Sequence, residues 1–215
     1  MDTFKVLSID IGIVNLGYVY SEITFDQVPQ TSKYKNLLNN QKHNTELTKK
    51  NINIVDCNRI DITKMKHNRV QRCDCKLHHE CCIPDYLDHF IQEHSGYFTN
   101  CDLLILERQP PVGITNVQDL LFTKFRDKVL LVSPNSVHKY FGLDSNYDTR
   151  KIESETIATE YLGNKGNYLL NHRKHDISDA LLMILYFYKI KLDSIINKTQ
   201  FTSGALDFEQ FRFKL

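Results

Sequence analysis

The chain has 215 residues, enough for one α/β domain with an insertion and too few for two comfortable ones. Hydrophobic residues make up 41% and charged residues 25%, which excludes a chain disordered overall and allows a sizeable core. The formal net charge of +1 excludes a strongly basic nucleic-acid binder by bulk charge, yet leaves room for acids gathered at a site and cations lining a groove.

No apolar run is long enough to span a bilayer, and Met1 to Lys5 opens directly into a strand-like run without the look of a signal peptide. A soluble, intracellular protein is expected. Its six cysteines then read as thiols or metal ligands, not as a disulfide framework.

Phe4 to Gly12 reads as a buried strand ending in an acid and a glycine. Leu16 to Ile23 is β-rich and should pair antiparallel with it through a turn carrying Gly12, Asn15 and Gly17. Thr24 to Lys50 is polar and reads as a long exposed loop. Asn51 to Cys57 suggests a third strand, followed by a Cys/His-rich stretch from Cys73 to Cys82. Pro84 suits the first turn of a helix running to Ile91.

Leu103 to Glu107 is a short apolar strand ending in an acid. Asn116 to Phe125 is helical in period, Lys128 to Ser133 is a buried strand stopped by Pro134, and Ser136 to Phe141 and Arg150 to Leu162 read as helices. His175 to Lys191 repeats Ile177, Ala180, Leu181, Ile184, Leu185 and Tyr188 at helical spacing. The organisation expected is one domain over 1–198, containing the 24–50 loop and a Cys/His-rich helical insertion over 57–101, then a weakly ordered tail over 199–215.

Four acids stand out by position. Asp10 and Glu107 each end a strand where the apolar run breaks, and functional groups of α/β sheets gather beyond strand ends. Asp176 and Asp179 lie at i and i+3 near a helix start, so they share one face. Four converging carboxylates cannot all ionise without compensation. Oxygen-only ligation favours Mg²⁺, with Mn²⁺ as a substitute, and two such ions suit phosphodiester hydrolysis. Alone, each acid has an ordinary role: Asp10 as a turn former, Asp176 as a helix N-cap, Asp179 as a first-turn partner of the helix dipole. The set and its order on the chain carry the reading.

That ordered set resembles the RuvC-like Holliday-junction resolvases of the ribonuclease H-like superfamily. The resemblance rests on Ile9-Asp10-Ile11-Gly12 with Asn15-Leu16-Gly17, on Leu106-Glu107, and on Asp176-Ile177-Ser178-Asp179-Ala180. Glu107-Arg108-Gln109-Pro110, with Ser133-Pro134 after the next strand, resembles the poxvirus-type subgroup of large DNA viruses. It spans residues 4–23 and 102–190. It implies a mixed α/β sheet, antiparallel in its first three strands and parallel thereafter, flanked by helices. It also implies that Asp10, Glu107, Asp176 and Asp179 bind the metals, and that a homodimer nicks two opposed strands of a four-way DNA junction. Two symmetric cuts need two sites, which a two-fold dimer provides. A viral source would place such an enzyme where viral DNA replicates in the host cell.

Candidate phosphate contacts are Arg108, Lys124, Arg126, Lys128, Lys139, Arg150, Lys151, Arg173 and Lys174. Junction recognition by shape would rest on such backbone contacts. His172 and His175 flank the Asp pair and are candidates for water activation or for a structural role. Zinc needs four Cys or His donors. Cys75, His79, Cys82 and His89 make one structural quartet, with Cys73, His78 and Cys81 as rivals and unliganded thiols as the other reading.

Three other functions compete. A ribonuclease H-like enzyme acting on RNA or RNA–DNA hybrid would use the same acids. A zinc-bearing DNA-binding protein without catalysis would not need all four. A sugar-kinase or actin-like ATPase would reuse Asp10-Ile11-Gly12 as a phosphate loop, but needs a second such domain that this length does not provide.

Overall fold

A computed structural model describes residues 3–24, 49–67, 82–111 and 115–199, with only the backbone described for 65–67 and 191–199. The described strands form one five-stranded sheet: β1 (Phe4–Asp10), β2 (Leu16–Ile23), β3 (Ile52–Ile60), β4 (Leu103–Glu107) and β5 (Val129–Val132), in the order β3-β2-β1-β4-β5. β1, β2 and β3 pair antiparallel, while β4 and β5 run parallel to β1 and to each other. This is the mixed sheet expected. β3 runs on to Ile60 because Arg59 and Ile60 pair with Gly17 and Leu16.

Helices cover both faces. On one side lie α1 (Ile83–Glu93), α2 (Ser95–Asn100) and α3 (Thr115–Lys124); their Leu87, Phe90, Phe98, Val117 and Leu121 pack on Leu7, Ile9, Leu104 and Leu106. On the other lie α4 (Pro134–Phe141), α5 (Tyr147–Leu162), α6 (Gly166–Leu169) and α7 (Lys174–Thr199). Here Val137, Ala158, Tyr168, Ile177 and Leu181 meet Val6, Val19, Leu103, Ile105 and Val132. Side chains alternate across a strand. The split is therefore written in the parity of each strand: Val6 faces α7 and Leu7 faces α1, and so on along the run.

Several boundaries differ from the sequence reading for local reasons. Pro134 stops β5 as expected but also opens α4, where its missing N–H costs nothing. α5 begins at Tyr147, three residues early, because Asn146 caps it: its side-chain oxygen accepts from the N–H groups of Asp148 and Thr149 at 3.0 and 3.1 Å. α2 and α6 are too short for periodicity to announce. α1 and α2, inside the stretch read as an insertion, supply core residues. The segments 25–48, 68–81 and 200–215 lie outside the described residues, and with them most of the polar loop, the tail, and Cys73, Cys75, His78, His79 and Cys81.

One glycine decides how closely α7 meets the sheet. A Cβ on Gly17 would lie 2.1 Å from the carbonyl oxygen of Asp176 and 2.4 Å from its carbonyl carbon. Gly17 pairs with Asp10 across β1 and β2. The start of α7 thus rests on bare backbone beside the strand that carries Asp10. Gly17→Ala is expected to lift the helix start and lower unfolding stability by about 1–3 kcal/mol, in the range of core overpacking. Urea denaturation of the variant measures this, and an unchanged midpoint would contradict it.

Candidate active site

Parity brings the acids together. Asp10 shares its face of β1 with Val6 and Ser8, and Glu107 shares its face of β4 with Leu103 and Ile105, so both point toward the α7 side. The parallel register sets Ile9 beside Leu106, which puts Asp10 and Glu107 at neighbouring strand ends. From above, α7 offers Asp176 and Asp179, one turn apart near its N-terminus. Asp10, Glu107 and Asp179 line one pocket, together with Pro134, Val137, His138 and Met183.

The electrostatics are those of crowded, buried acids. Burial raises the Asp10 carboxyl well above the ordinary carboxylate range, with Glu107, which shares a hydrogen bond with it, next, and Asp179 and Asp176 adding to the effect. Burial and then Glu107 push Asp179 up to about 7; Ser154 and Arg150 pull it back down. A shared proton is thus the local substitute for a counter-ion.

Asp176 is handled differently. Arg173 Nε donates to its Oδ2 at 3.1 Å, and His175 Nε2 lies 3.3 Å from its Oδ1. His175 reaches Glu155 on its other side at 3.6 Å, and burial holds its imidazole below the ordinary value. The structure therefore gathers three of the four acids around the pocket and leaves the fourth paired to an arginine. Among the described residues, no three His, Cys, Asp or Glu side chains converge tightly enough to hold a metal ion as they stand. The donor set nonetheless fits a hard divalent cation: it is all oxygen, and burial together with the neighbouring acids raises the Asp10 and Asp179 carboxyls.

Two positioning groups escaped the sequence reading. Gln109 Nε2 donates to Glu107 Oε2 at 2.7 Å, and the Gln109 N–H donates to Gln118 Oε1 at 2.7 Å. The loop after β4 thus folds back to orient the carboxylate that precedes it. Arg59 links the β1–β2 turn to the approach of α7, donating to Asn15 Oδ1 at 2.8 Å and Asn171 Oδ1 at 3.1 Å. No local pattern marks either: Gln109 acts only once its loop folds back, and Arg59 finds its partners 44 and 112 residues away. His138 was missed for a similar reason, since only the packing of α4 turns it toward the pocket.

The candidate cations divide by location. Arg173 and Lys174 begin α7 beside the acids, and the exposed Arg108 directly follows Glu107. Arg150 acts electrostatically on Asp179. Lys151 lies over the exposed Tyr147 ring, its Nζ 3.9 Å from the centroid. Lys139 is exposed on α4 and His172 is exposed before α7. Lys124, Arg126 and Lys128 are not brought to the acids, because the chain leaves the acid end of β4, runs back along α3 and re-enters at the start of β5. There Lys124 pairs with Asp88 at 2.7 Å, Arg126 stacks on Phe122, and Lys128 donates to the Phe98 and Cys101 carbonyls at 2.6 and 3.2 Å. Of the zinc quartet, Cys82 is an exposed free thiol at the N-cap of α1 and His89 sits half-buried on that helix. Cys75 and His79 lie outside the described residues.

No protein-family model matches the chain, and no curated protein matches it by sequence. Solved structures do. The fowlpox virus resolvase, determined with its substrate Holliday junction DNA, superposes with a TM-score of 0.53 at 19% identity, over 90% of this chain and 99% of that one. The fowlpox virus Holliday junction resolvase in a second structure gives 0.52 at 17% identity, over 87% and 99%. The yeast mitochondrial Holliday junction resolvase Ydc2 gives 0.56 at 15% identity, over 92% and 85%. The fold is ribonuclease H-like. At these identities the superpositions establish architecture, and the ribonuclease H-like sheet is what delivers Asp10 and Glu107 to adjacent strand ends under α7.

The raised carboxyls have a consequence for stability. Between the ordinary 3.8 and about 7, folded Asp179 keeps a proton that the unfolded chain has released. Its contribution to stability therefore falls as pH rises through that window, and above it the full repulsion remains. In chelator, Asp179→Asn is expected to gain thermal stability over wild type progressively from about pH 4 to about pH 7. Mg²⁺ should raise the wild-type midpoint more at about pH 8 than at about pH 5, since ligation needs the deprotonated acid. A pH-independent gap between the two proteins would contradict this account.

Proposed function

We propose that this protein is a metal-dependent endonuclease that resolves four-way DNA junctions. The observation that carries the reading is the pocket itself: Asp10, Glu107 and Asp179, from two strand ends and one helix, crowd together, and burial with the neighbouring acids raises the Asp10 and Asp179 carboxyls. The architecture shared with resolvases of a poxvirus and of yeast mitochondria, one of them solved on its junction substrate, supports junction DNA as the substrate. No described helix is long and apolar enough to cross a membrane.

Asp10, Glu107 and Asp179 would hold divalent ions, with Mg²⁺ the natural choice for an all-oxygen set, and Asp176 would join them on release from Arg173. Bound in pairs, such ions activate a water and stabilise the leaving oxygen of an in-line displacement. The chain's own residues set the geometry around that chemistry. Gln109 fixes the orientation of the Glu107 carboxylate, and Gly17 lets α7 sit low enough to present its acids. Arg173 and Lys174, next to Asp176 at the start of α7, would contact the backbone of a bound strand, with Arg150 and Lys151 at the start of α5 as further candidates. Phosphate contacts of this kind position a duplex arm without reading its bases. A two-fold homodimer would supply the second pocket needed for paired nicks.

The decisive experiment is cleavage of a synthetic four-way junction in Mg²⁺ by wild type and by Glu107→Gln. Wild type should cut the junction in preference to linear duplex and to an RNA–DNA hybrid. Glu107→Gln should bind the junction and lose at least about 100-fold in rate, as expected when a group acting with others at one site is removed. Equal cutting of the hybrid would redirect the assignment to another ribonuclease H-like nuclease. Unaltered cutting by Glu107→Gln would remove the acid pocket from the chemistry. Gln109→Ala is expected to weaken Mg²⁺ dependence by about 10-fold or more, as losses of partners behind metal ligands do, which a titration of rate against Mg²⁺ measures.

A further inference from the structure

The acid pocket has a wall that is not acidic. α4 begins directly after β5, and the end of β5 pairs with Glu107. One turn into that helix, Val137 is buried in the core and His138 faces the pocket shared by Asp10, Glu107 and Asp179. The backbone there is firmly held. Gly142 ends α4 in the left-handed conformation at φ 66°, and the Leu143 N–H donates to the His138 carbonyl at 2.9 Å. Among the described residues, the His138 side chain has no hydrogen-bond or ion-pair partner.

His138 is not among the buried side chains left without a partner, so its ring nitrogens stay open at the pocket and their hydrogen-bonding capacity is available to a ligand. Burial lowers the imidazole's proton affinity and the Arg150 cation lowers it further, which favours the form with one N–H to give. An N–H donor opposite a carboxylate cluster suits a ligand that brings its own negative oxygens. A phosphodiester lying over the acids would place its non-bridging oxygens against this wall.

We propose that His138 is a catalytic residue of the same pocket, its imidazole N–H donating a hydrogen bond to a non-bridging oxygen of the scissile phosphate. This rests on the nuclease reading above and adds a non-acidic group to it. The contact strengthens as charge builds on the phosphorus oxygens, so it acts on rate more than on binding. No bond is made or broken by the imidazole.

The test compares wild type, His138→Ala, His138→Gln, His138→Leu and Glu107→Gln on a synthetic four-way junction. Single-turnover cleavage is measured in Mg²⁺, and junction affinity in Ca²⁺. His138→Ala should slow cleavage by about 100-fold, the scale of one lost donor to a developing oxyanion, with affinity within about threefold of wild type. His138→Gln, which keeps an amide donor, should recover at least about 10-fold of that loss, and His138→Leu, which fills the space without donating, should recover none. Should the alanine variant not fold, the glutamine–leucine pair decides alone. Cleavage by His138→Leu within about threefold of wild type, with Glu107→Gln inactive, would overturn the role of His138 and leave the nuclease reading standing. Full activity of Glu107→Gln would overturn both. Equal rescue by leucine and glutamine would assign His138 to packing and overturn the proposal.

Discussion

The candidate site depends on one contact, the seat of α7 on Gly17. A side chain there would meet the Asp176 carbonyl, so only a glycine lets the helix start lie against the strand that pairs with Asp10. Everything distinctive about the pocket follows from that proximity. Asp179 comes down beside Glu107, burial and repulsion raise its carboxyl, and the acids share protons instead of dispersing into solvent. Arg59 holds the arrangement from the side, bridging the β1–β2 turn to the segment that leads into α7. α7 contributes a large share of the core on that face: Ile177, Ala180, Leu181, Ile184 and Leu185 are buried and anchor the helix against the sheet. Hydrophobic burial thus supplies the free energy that holds unwilling charges together, an arrangement expected wherever function conflicts with stability.

Much of this was legible in the sequence because the relevant signals are local. Strand-ending acids, a break at glycine or proline and a strongly periodic helix identify Asp10, Glu107 and the Asp176–Asp179 pair without tertiary information. The sheet's mixed pattern could be expected from the resemblance, and β2 and β4 could be bounded to the residue. What escaped was whatever depended on how loops and helices fold back onto the acids. Gln109 looks like loop polarity until Gln118 and Glu107 lie within reach of it. His138 sits in a short amphipathic helix where a histidine on the half-exposed face carries no mark of its own. The cation reading failed to separate two groups for a related reason: Lys124 and Arg173 look alike in sequence, yet the β4–α3–β5 crossover carries the first to the far end of the sheet. Asp176 shows the opposite lesson, since the cation that neutralises it is only three residues away.

The pairing of Arg173 with Asp176 also separates two ways of neutralising the same site. Burial and the neighbouring acids favour the protonated form of Asp10 and Asp179, while Asp176 is paired with a guanidinium. A proton is displaced readily by a divalent ion, whereas a half-exposed arginine has somewhere else to go when an anionic strand arrives. On the proposed reading, cation loading and strand binding support one another: a phosphate that attracts Arg173 frees the carboxylate that an ion needs.

The order of the ligands along the chain has a temporal meaning. Asp10 and Glu107 are synthesised early, but the helix bearing Asp176 and Asp179 begins only at Lys174. A growing chain on the ribosome, surrounded by nucleic acid, can pair β1 with β4 and still carry only half of the carboxylates. The pocket closes when α7 has emerged and docked onto Gly17, after the rest of the sheet is in place to receive it. On the proposed reading, placing the last acids in the last described helix leaves an unfinished polypeptide without the complete carboxylate set.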